Sequence, residues 1–288
     1  MQLSITLPQS ANNLTVRELL ENQWMIPRKV RHFLRTRKNV LKNGQKVMFH
    51  ETVQTGDIIT LIFEKDDYST PDIILGNRHL VDVLWEDEHM IIVNKPYGKK
   101  THPNQPLEKD TLLNDVTDYL HSKHQVPYVV HRLDKETSGA ILFAKNPIIL
   151  PILGKMLEQK KINRLYEAEV TGLMTTDHLT INKPIGRHRH DRRKRVIDTR
   201  HGDHAVTHIS VIDRFKKTTR VECQLDTGRT HQIRVHLESI HHPIIGDPLY
   251  NPNSQAKRLH LHAKELELVH PFTDEFIHVY TDNSLFKK

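Results

Sequence analysis

From about residue 80 onward the chain is dominated by short apolar alternations. HMIIVNK, PYVV, AILFAK, YEAEV, THISVI, RVECQL and LHLHAKELEL each read as a strand whose side chains point to alternate faces. Three longer stretches carry the helical period instead: TLLNDVTDYLHSK, NPIILPILGKMLEQKK and THQIRVHLESIH. Turns, not regular helices, join most of the strands, which predicts an α+β fold with a mixed, largely antiparallel sheet flanked by helices. The first 64 residues differ. Leu14, Val16, Leu19 and Leu20 recur at helical spacing, and Pro27 opens a second helix whose buried stripe is Val30, Phe33 and Leu34. Asn43-Gly44 between apolar runs signals a hairpin, and TGDIITLIF closes the unit as a strand. Residues 65–79 are polar and turn-rich and read as a linker. The expected organisation is therefore a small α/β unit over 1–64, a linker, and one larger domain over 80–288.

Charge changes this picture. The 288 residues hold 42 Lys and Arg against 35 Asp and Glu, a net charge of +7. An excess of this size argues for a polyanionic partner only where it is clustered. It is clustered twice: PRKVRHFLRTRKNVLKNGQK (Pro27 to Lys46) contains no acid, and RHRHDRRKR (Arg187 to Arg195) contains one. The lone cysteine, Cys223, rules out an intrachain disulfide and reads as a small core residue on a strand, alternating with Val221 and Leu225. No apolar run approaches the roughly 20 residues of a spanning helix, and no secretory leader is apparent, so the expected location is the cytoplasm, without a membrane partner. Of the 22 histidines, His260 and His262 share a strand face, as do His188 and His190, but no compact ligand set with a carboxylate or thiolate accompanies them. No metal is expected, and many of the histidines, these pairs included, are expected at the surface or on a nucleic acid.

The sharpest candidate chemistry is HRLDKETSG (His131 to Gly139). Asp134 falls on a loop between two apparently buried strands, with Gly139 permitting a tight return. An acid there either caps its turn, paired with Arg132 or Lys135, or is displayed as a nucleophile. A kinase catalytic loop is a poor match, because Leu133 interrupts His-Arg-Asp and no Asp-Phe-Gly follows. DTG at Asp226 to Gly228 suggests an aspartic protease, but that chemistry needs a second carboxylate and Arg229-Thr230-His231 would crowd the pair with donors.

Seven motifs occur in order: VNKPYGKKTHP, HRLDKETSG, RLYEAEVTG, KPIGR, LDTGRTHQIRVHL, HPIIGDPLY and LHAKELELVHP. Together, over residues 80–272, they closely resemble the RluA-type pseudouridine synthase family. The N-terminal basic helix, the V-x-x-N-G hairpin and the closing G-D-I-I strand resemble an S4 RNA-binding domain. The resemblance implies a cofactor-free isomerase that converts uridine to pseudouridine in RNA, with large-subunit ribosomal RNA favoured and transfer RNA the alternative. A non-catalytic RNA-binding protein on the same scaffold and a nucleoside hydrolase are the other readings. The resemblance further implies that Asp134 is the nucleophile, that Tyr166 stacks on the extruded uracil and moves protons, and that Arg234 favours the ionised acid. Arg132 is implied to hold or replace the flipped nucleotide. Arg187, Arg192, Arg193 and Arg195 would grip phosphates, Arg229 and His231 would contact RNA beside them, and Arg28, Lys29, Arg31 and Arg35 would do so from the N-terminal helix. The simplest assembly is a monomer. On the predicted last helix, Ile233, Leu237 and Ile240 face the core and Arg234 lies one position off that stripe. Two departures from the family pattern, His241 and Arg164, are expected to lie outside the chemical core.

Overall fold

In the computed structural model, which describes residues 1–105 and 107–282, the expected strands form and pair mostly antiparallel. The end of the expected second domain, residues 283–288, lies outside the described residues. The first four strands are β1 (Gln2–Thr6), β2 (Val40–Lys42), β3 (Gln45–Lys46) and β4 (Ile58–Ile62), in the sheet order β1-β4-β2-β3. β1 adds a strand to those expected. Its Leu3 and Ile5 point into the core and the strand pairs with β4. The β2–β3 turn is Asn43 and Gly44, both with positive φ (51° and 81°), the two-residue geometry whose twist suits a hairpin.

The helix expected over residues 14–23 is not regular. A capping box between Thr15 and Glu18 starts α1 (Val16–Glu18), and the chain then widens into a π-helical turn over Leu19–Gln23. Leu19, Leu20 and Trp24 are all fully buried around that turn. The second helix, α2 (Arg28–Thr36), buries Leu34, while Val30 and Phe33 are only half-buried. Phe33 is instead covered by the cations of Lys29 and Arg37, at 5.7 and 4.9 Å from its ring centre.

The larger sheet has ten strands. β5 (Val83–Glu86), β6 (Met90–Lys95), β7 (Tyr128–Val129), β8 (Ser138–Ala144), β9 (Ile162–Thr171) and β10 (His178–Asn182) come first. A separate hairpin follows, β11 (Ile185–Arg187) and β12 (Arg195–Ile197), and then β13 (Val206–Arg214), β14 (Thr218–Leu225), β15 (Leu261–Val269) and β16 (Phe276–Tyr280). The order is β10-β13-β14-β9-β15-β8-β6-β5, with β16 beside β15 and β7 beside β8. β15 and β8 make a parallel contact at His262–Ser138 and Ala263–Gly139. The helices are α3 (Leu112–His121), α4 (Ile149–Glu158) and α5 (Gln232–Glu238). Cys223 is fully buried on β14, and burial pushes its thiol up to about 12, as befits a small core residue.

The two sheets share apolar packing. Trp24 meets Phe272 edge to face, ring centres 5.2 Å apart, inside one continuous cluster with Leu61, Leu142 and Leu266. Part of the expected linker is strapped to α3: Asn114 donates its side-chain amide to the Ile74 carbonyl (2.7 Å) and the Asn77 N–H reaches Asp115 (3.0 Å). Among the described residues no helix is long and apolar enough to cross a membrane. The expectation of surface histidines fails for His262. It is buried between Ser138 (2.8 Å) and Thr281 (2.7 Å), and burial pushes its imidazole down to about 4.

Gly139 (φ 113°) is where β8 passes between β6 and β15, and a methyl group there would overlap the Ala263 backbone. Gly139→Ala is therefore expected to cost roughly 2–4 kcal/mol of stability, measured as a lowered urea midpoint at unchanged slope. A midpoint equal to that of the parent protein would show that the strands have room to separate there.

Candidate active site

The loop from Val130 to Thr137 joins β7 to β8, and burial fixes it on either side of Asp134. Leu133 is 4% exposed and Thr137 2%, so the intervening Asp134 is held between two anchors. The segment following β6 braces this loop from the side. The Thr101 hydroxyl donates to the Leu133 carbonyl (2.8 Å) and accepts the Leu133 N–H (3.1 Å). Gly98 N–H donates to the Lys135 carbonyl (3.0 Å). Lys95, fully buried, donates to the carbonyls of Pro96 (3.0 Å), Lys99 (2.6 Å) and Lys135 (3.1 Å). Burial pulls Lys95 down to about 7, opposed by the charge of Asp134. Three carbonyl acceptors also favour the ammonium, which alone offers three donors. The motif VNKPYGKKTHP marks this segment in the sequence but assigns no role to Lys95 or Thr101. A lysine inside an apolar strand run was the available signal.

Arg234 approaches Asp134 from α5. The helix start is set by Gln232, whose amide donates to the Val206 carbonyl (2.9 Å) and accepts from Thr227 (2.7 Å) and the Arg229 N–H (3.0 Å). Arg234 is 3% exposed, deeper than its position beside the apolar stripe implies. Asp247 makes that burial possible. It takes two parallel bonds from the guanidinium, Nε to Oδ2 and Nη2 to Oδ1, both 2.8 Å, and is itself completely enclosed. Asp247 is held in turn by the N–H groups of Leu249 (2.8 Å) and Tyr250 (3.1 Å). The third guanidinium nitrogen, Nη1, is left for Asp134 Oδ2 at 3.1 Å. Burial works against the Arg234 charge, but the bonds to Asp247 and the charge of Asp134 outweigh it, and its pKa is held above the ordinary range.

Asp134 and Arg234 open into a cleft of about 490 Å³ that Tyr166, Arg132, Arg229 and His231 also line. Tyr166 is 4% exposed on β9, in line with Ala168 and Val170. Burial raises its phenol pKa, Arg164 opposes, and the charge of Asp134 adds to the rise. Arg164 thus corrects an expectation: it lines the cleft beside Tyr166 and lies against Gly228. His241 does not line the cleft, and its φ of 64° explains why glycine suits that position. His231 has φ 59° and brings its Nε2 to 3.8 Å from Asp134 Oδ2.

The other candidates are dispersed. Arg187, Arg195 and Arg229 line a second, polar cleft of about 410 Å³ that shares the Gly228–Thr230 wall with the first. Arg192 and Arg193 are exposed in the β11–β12 turn and line neither cleft, and Arg193 is paired with Asp191 (2.9 Å). Arg28, Lys29 and Arg35 are exposed on α2, whereas Arg31 is tied to Glu21 at 2.9 Å. The acid-free basic run therefore receives a partner from the preceding turn.

Comparison with known proteins follows the same outline. The family model described as RNA pseudouridylate synthase matches residues 89–239, and that described as RluD ribosomal pseudouridine synthase N-terminal domain matches residues 3–59. An uncharacterized RNA pseudouridine synthase of Bacillus subtilis is 41% identical over 241 residues, 82% of this chain and 78% of that protein. The ribosomal large subunit pseudouridine synthase D of Xylella fastidiosa is 38% identical over 254 residues, 81% of this chain and 74% of that protein. Among solved structures, human RNA pseudouridylate synthase domain containing 1 has a TM-score of 0.59 at 24% identity, over 72% of this chain and 85% of that one, a likeness of fold.

Removing Asp247 would leave a buried guanidinium half-paired. Asp247→Ala is expected to lower stability by about 3–5 kcal/mol, read from chemical denaturation. A loss below about 1 kcal/mol would mean that water or Asp134 alone satisfies Arg234.

Proposed function

The chain belongs to the RNA pseudouridylate synthase family and is an isomerase acting on RNA, and we propose that Asp134 is its nucleophile and large-subunit ribosomal RNA its substrate. The observation that carries the first part is the single bond from Arg234 Nη1 to Asp134 Oδ2, 3.1 Å long, at the wall of a cleft that Tyr166 also lines. A carboxylate withdrawn from water tends to take up a proton and lose nucleophilicity. A guanidinium held ionised beside it favours the anion. The cleft suits one extruded nucleotide, since the base must leave its stack before its sugar carbon or ring can be reached.

In the reaction the glycosidic C–N bond breaks, the uracil turns, and a C–C bond to the same sugar carbon forms. Mass is conserved and no electrons are exchanged. Asp134 forms the covalent intermediate that divides the rearrangement into two easier steps. Tyr166 packs on the freed ring and handles its proton. Arg132, exposed at the cleft and two residues from Asp134, fills the space the flipped nucleotide leaves. Arg187, Arg192, Arg193, Arg195 and Arg229 hold phosphates around the second cleft and the β11–β12 turn, with His231 as an RNA contact of the same wall.

Residues 1–64 serve as an S4-like module that grips RNA backbone through Arg28, Lys29 and Arg35, with Arg31 shared with Glu21. The ribosomal assignment rests on the likeness to large-subunit synthases and to their N-terminal domain. A monomer working in the cytoplasm is the simplest arrangement consistent with that substrate.

Asp134→Asn is expected to abolish pseudouridine formation while RNA affinity changes by less than about twofold, because the phosphate contacts remain. Chromatography of digested RNA and a filter-binding titration measure the two, and turnover by the variant would remove Asp134 from the chemistry. Release of free uracil by the parent protein would indicate hydrolysis instead. Replacing Arg192, Arg193 and Arg195 together with Ala is expected to flatten the salt dependence of binding by about 0.7 in log–log slope for each phosphate they hold. An unchanged slope would reject the turn as a phosphate contact.

A further inference from the structure

The side chain of Tyr250 stands outside every role assigned so far, yet three parts of the site meet on it. Its hydroxyl accepts the backbone N–H of Arg195 on β12 at 2.8 Å. The same oxygen lies 3.0 Å from His231 Nδ1 and 3.3 Å from the Arg195 carbonyl. Its ring carries the Arg234 guanidinium, 5.1 Å from the ring centre, and the Lys194 ammonium at 5.9 Å, while the His231 ring meets it edge-on.

A hydroxyl has one proton to give. With Arg195 N–H already directed at the Tyr250 oxygen, His231 Nδ1 at 3.0 Å is a nearer acceptor for that proton than the Arg195 carbonyl at 3.3 Å. An imidazole that accepts at Nδ1 carries its own proton on Nε2, and Nε2 is the nitrogen facing Asp134 Oδ2 at 3.8 Å. The reverse tautomer would turn a lone pair towards a carboxylate. Burial keeps the imidazole below its ordinary pKa, opposed by the charge of Asp134. His231 reaches this place only by taking a left-handed backbone (φ 59°), which is strained for a non-glycine residue. Arg234 Nη1 at 3.1 Å and His231 Nε2 at 3.8 Å then both face Oδ2. Neither of these two groups is directed at Oδ1.

We propose that Tyr250 is a positioning residue that fixes His231 as the Nε2–H tautomer, so that His231 and Arg234 together orient the Asp134 carboxylate for attack through Oδ1. This rests on the reading of Asp134 as nucleophile. It reassigns His231 from an RNA contact to an orienting group. Because the tie runs through the Arg195 backbone, the β11–β12 hairpin holds the same hydroxyl in place.

The test is Tyr250→Phe, which keeps the ring over Arg234 and removes only the hydroxyl. Imidazole nitrogen NMR of the parent protein is expected to show His231 protonated at Nε2, and the variant a mixture of tautomers. The single-turnover rate of pseudouridine formation is expected to fall roughly three- to tenfold, the worth of one neutral hydrogen bond. RNA affinity and the thermal midpoint should stay near those of the parent. His231→Ala should slow the reaction similarly, and the double variant no further. A parent protein with His231 protonated at Nδ1, a variant of unchanged rate, or a slower variant with an unchanged tautomer would each overturn the proposal. Turnover by Asp134→Asn would sink the nucleophile instead, leaving the tautomer to be read independently from the spectrum.

Discussion

One buried guanidinium organises this protein. Arg234 is taken out of water between two carboxylates, and two of its nitrogens are committed to Asp247 so that the third can point only at Asp134. An isolated buried cation would be prohibitively costly, and a flexible one would not orient its partner. The bidentate bond to Asp247 addresses both difficulties, since it offsets desolvation and fixes the plane of the fork. Asp134, with one bond to Arg234 and a fully enclosed Asp247 behind it, is the less buried end of that arrangement and lines the cleft.

The rest of the site repeats this division between anchor and working group. Leu133 and Thr137 are buried on either side of Asp134, and Thr101 and Lys95 hold the loop backbone from β6 and the segment after it. Gln232 anchors the start of α5 so that Arg234 arrives at a fixed depth. Each anchor is itself buried and hydrogen-bonded, so little can shift without breaking several bonds together. Tyr166 belongs to the same plan: its ring is a core residue of β9 with one edge in the cleft.

Basic surfaces surround this rigid centre at two distances. Arg187, Arg195 and Arg229 border a second cleft that shares a wall with the first, whereas Arg28, Lys29 and Arg35 lie on α2 of the N-terminal unit. That unit packs onto the larger sheet through Trp24 and Phe272 instead of hanging on a loose tether. The two units are thus joined by a shared apolar core.

Local pattern determined a good deal. Period-2 and helical runs marked most strands of the large sheet and the three helices beside it, because burial of alternate or every third and fourth side chain leaves a direct trace in composition. Asn43-Gly44 marked its turn because few residue pairs tolerate two positive φ angles. The ordered motifs placed Asp134, Tyr166 and Arg234 together through family resemblance, which spacing alone left undecided. β1 carries its own alternation, Leu3 and Ile5 continued by Leu7, and is legible in the chain, whereas the π-helical turn after Glu18 and the burial of His262 have no local trace. Only the tertiary structure decided that Arg164 belongs to the cleft, that Asp247 clamps Arg234, and that Tyr250 joins the hairpin to His231. Hydrogen bonds and desolvation act between groups that meet in space whatever their separation along the chain, so the chain could name these residues but not say what they touch.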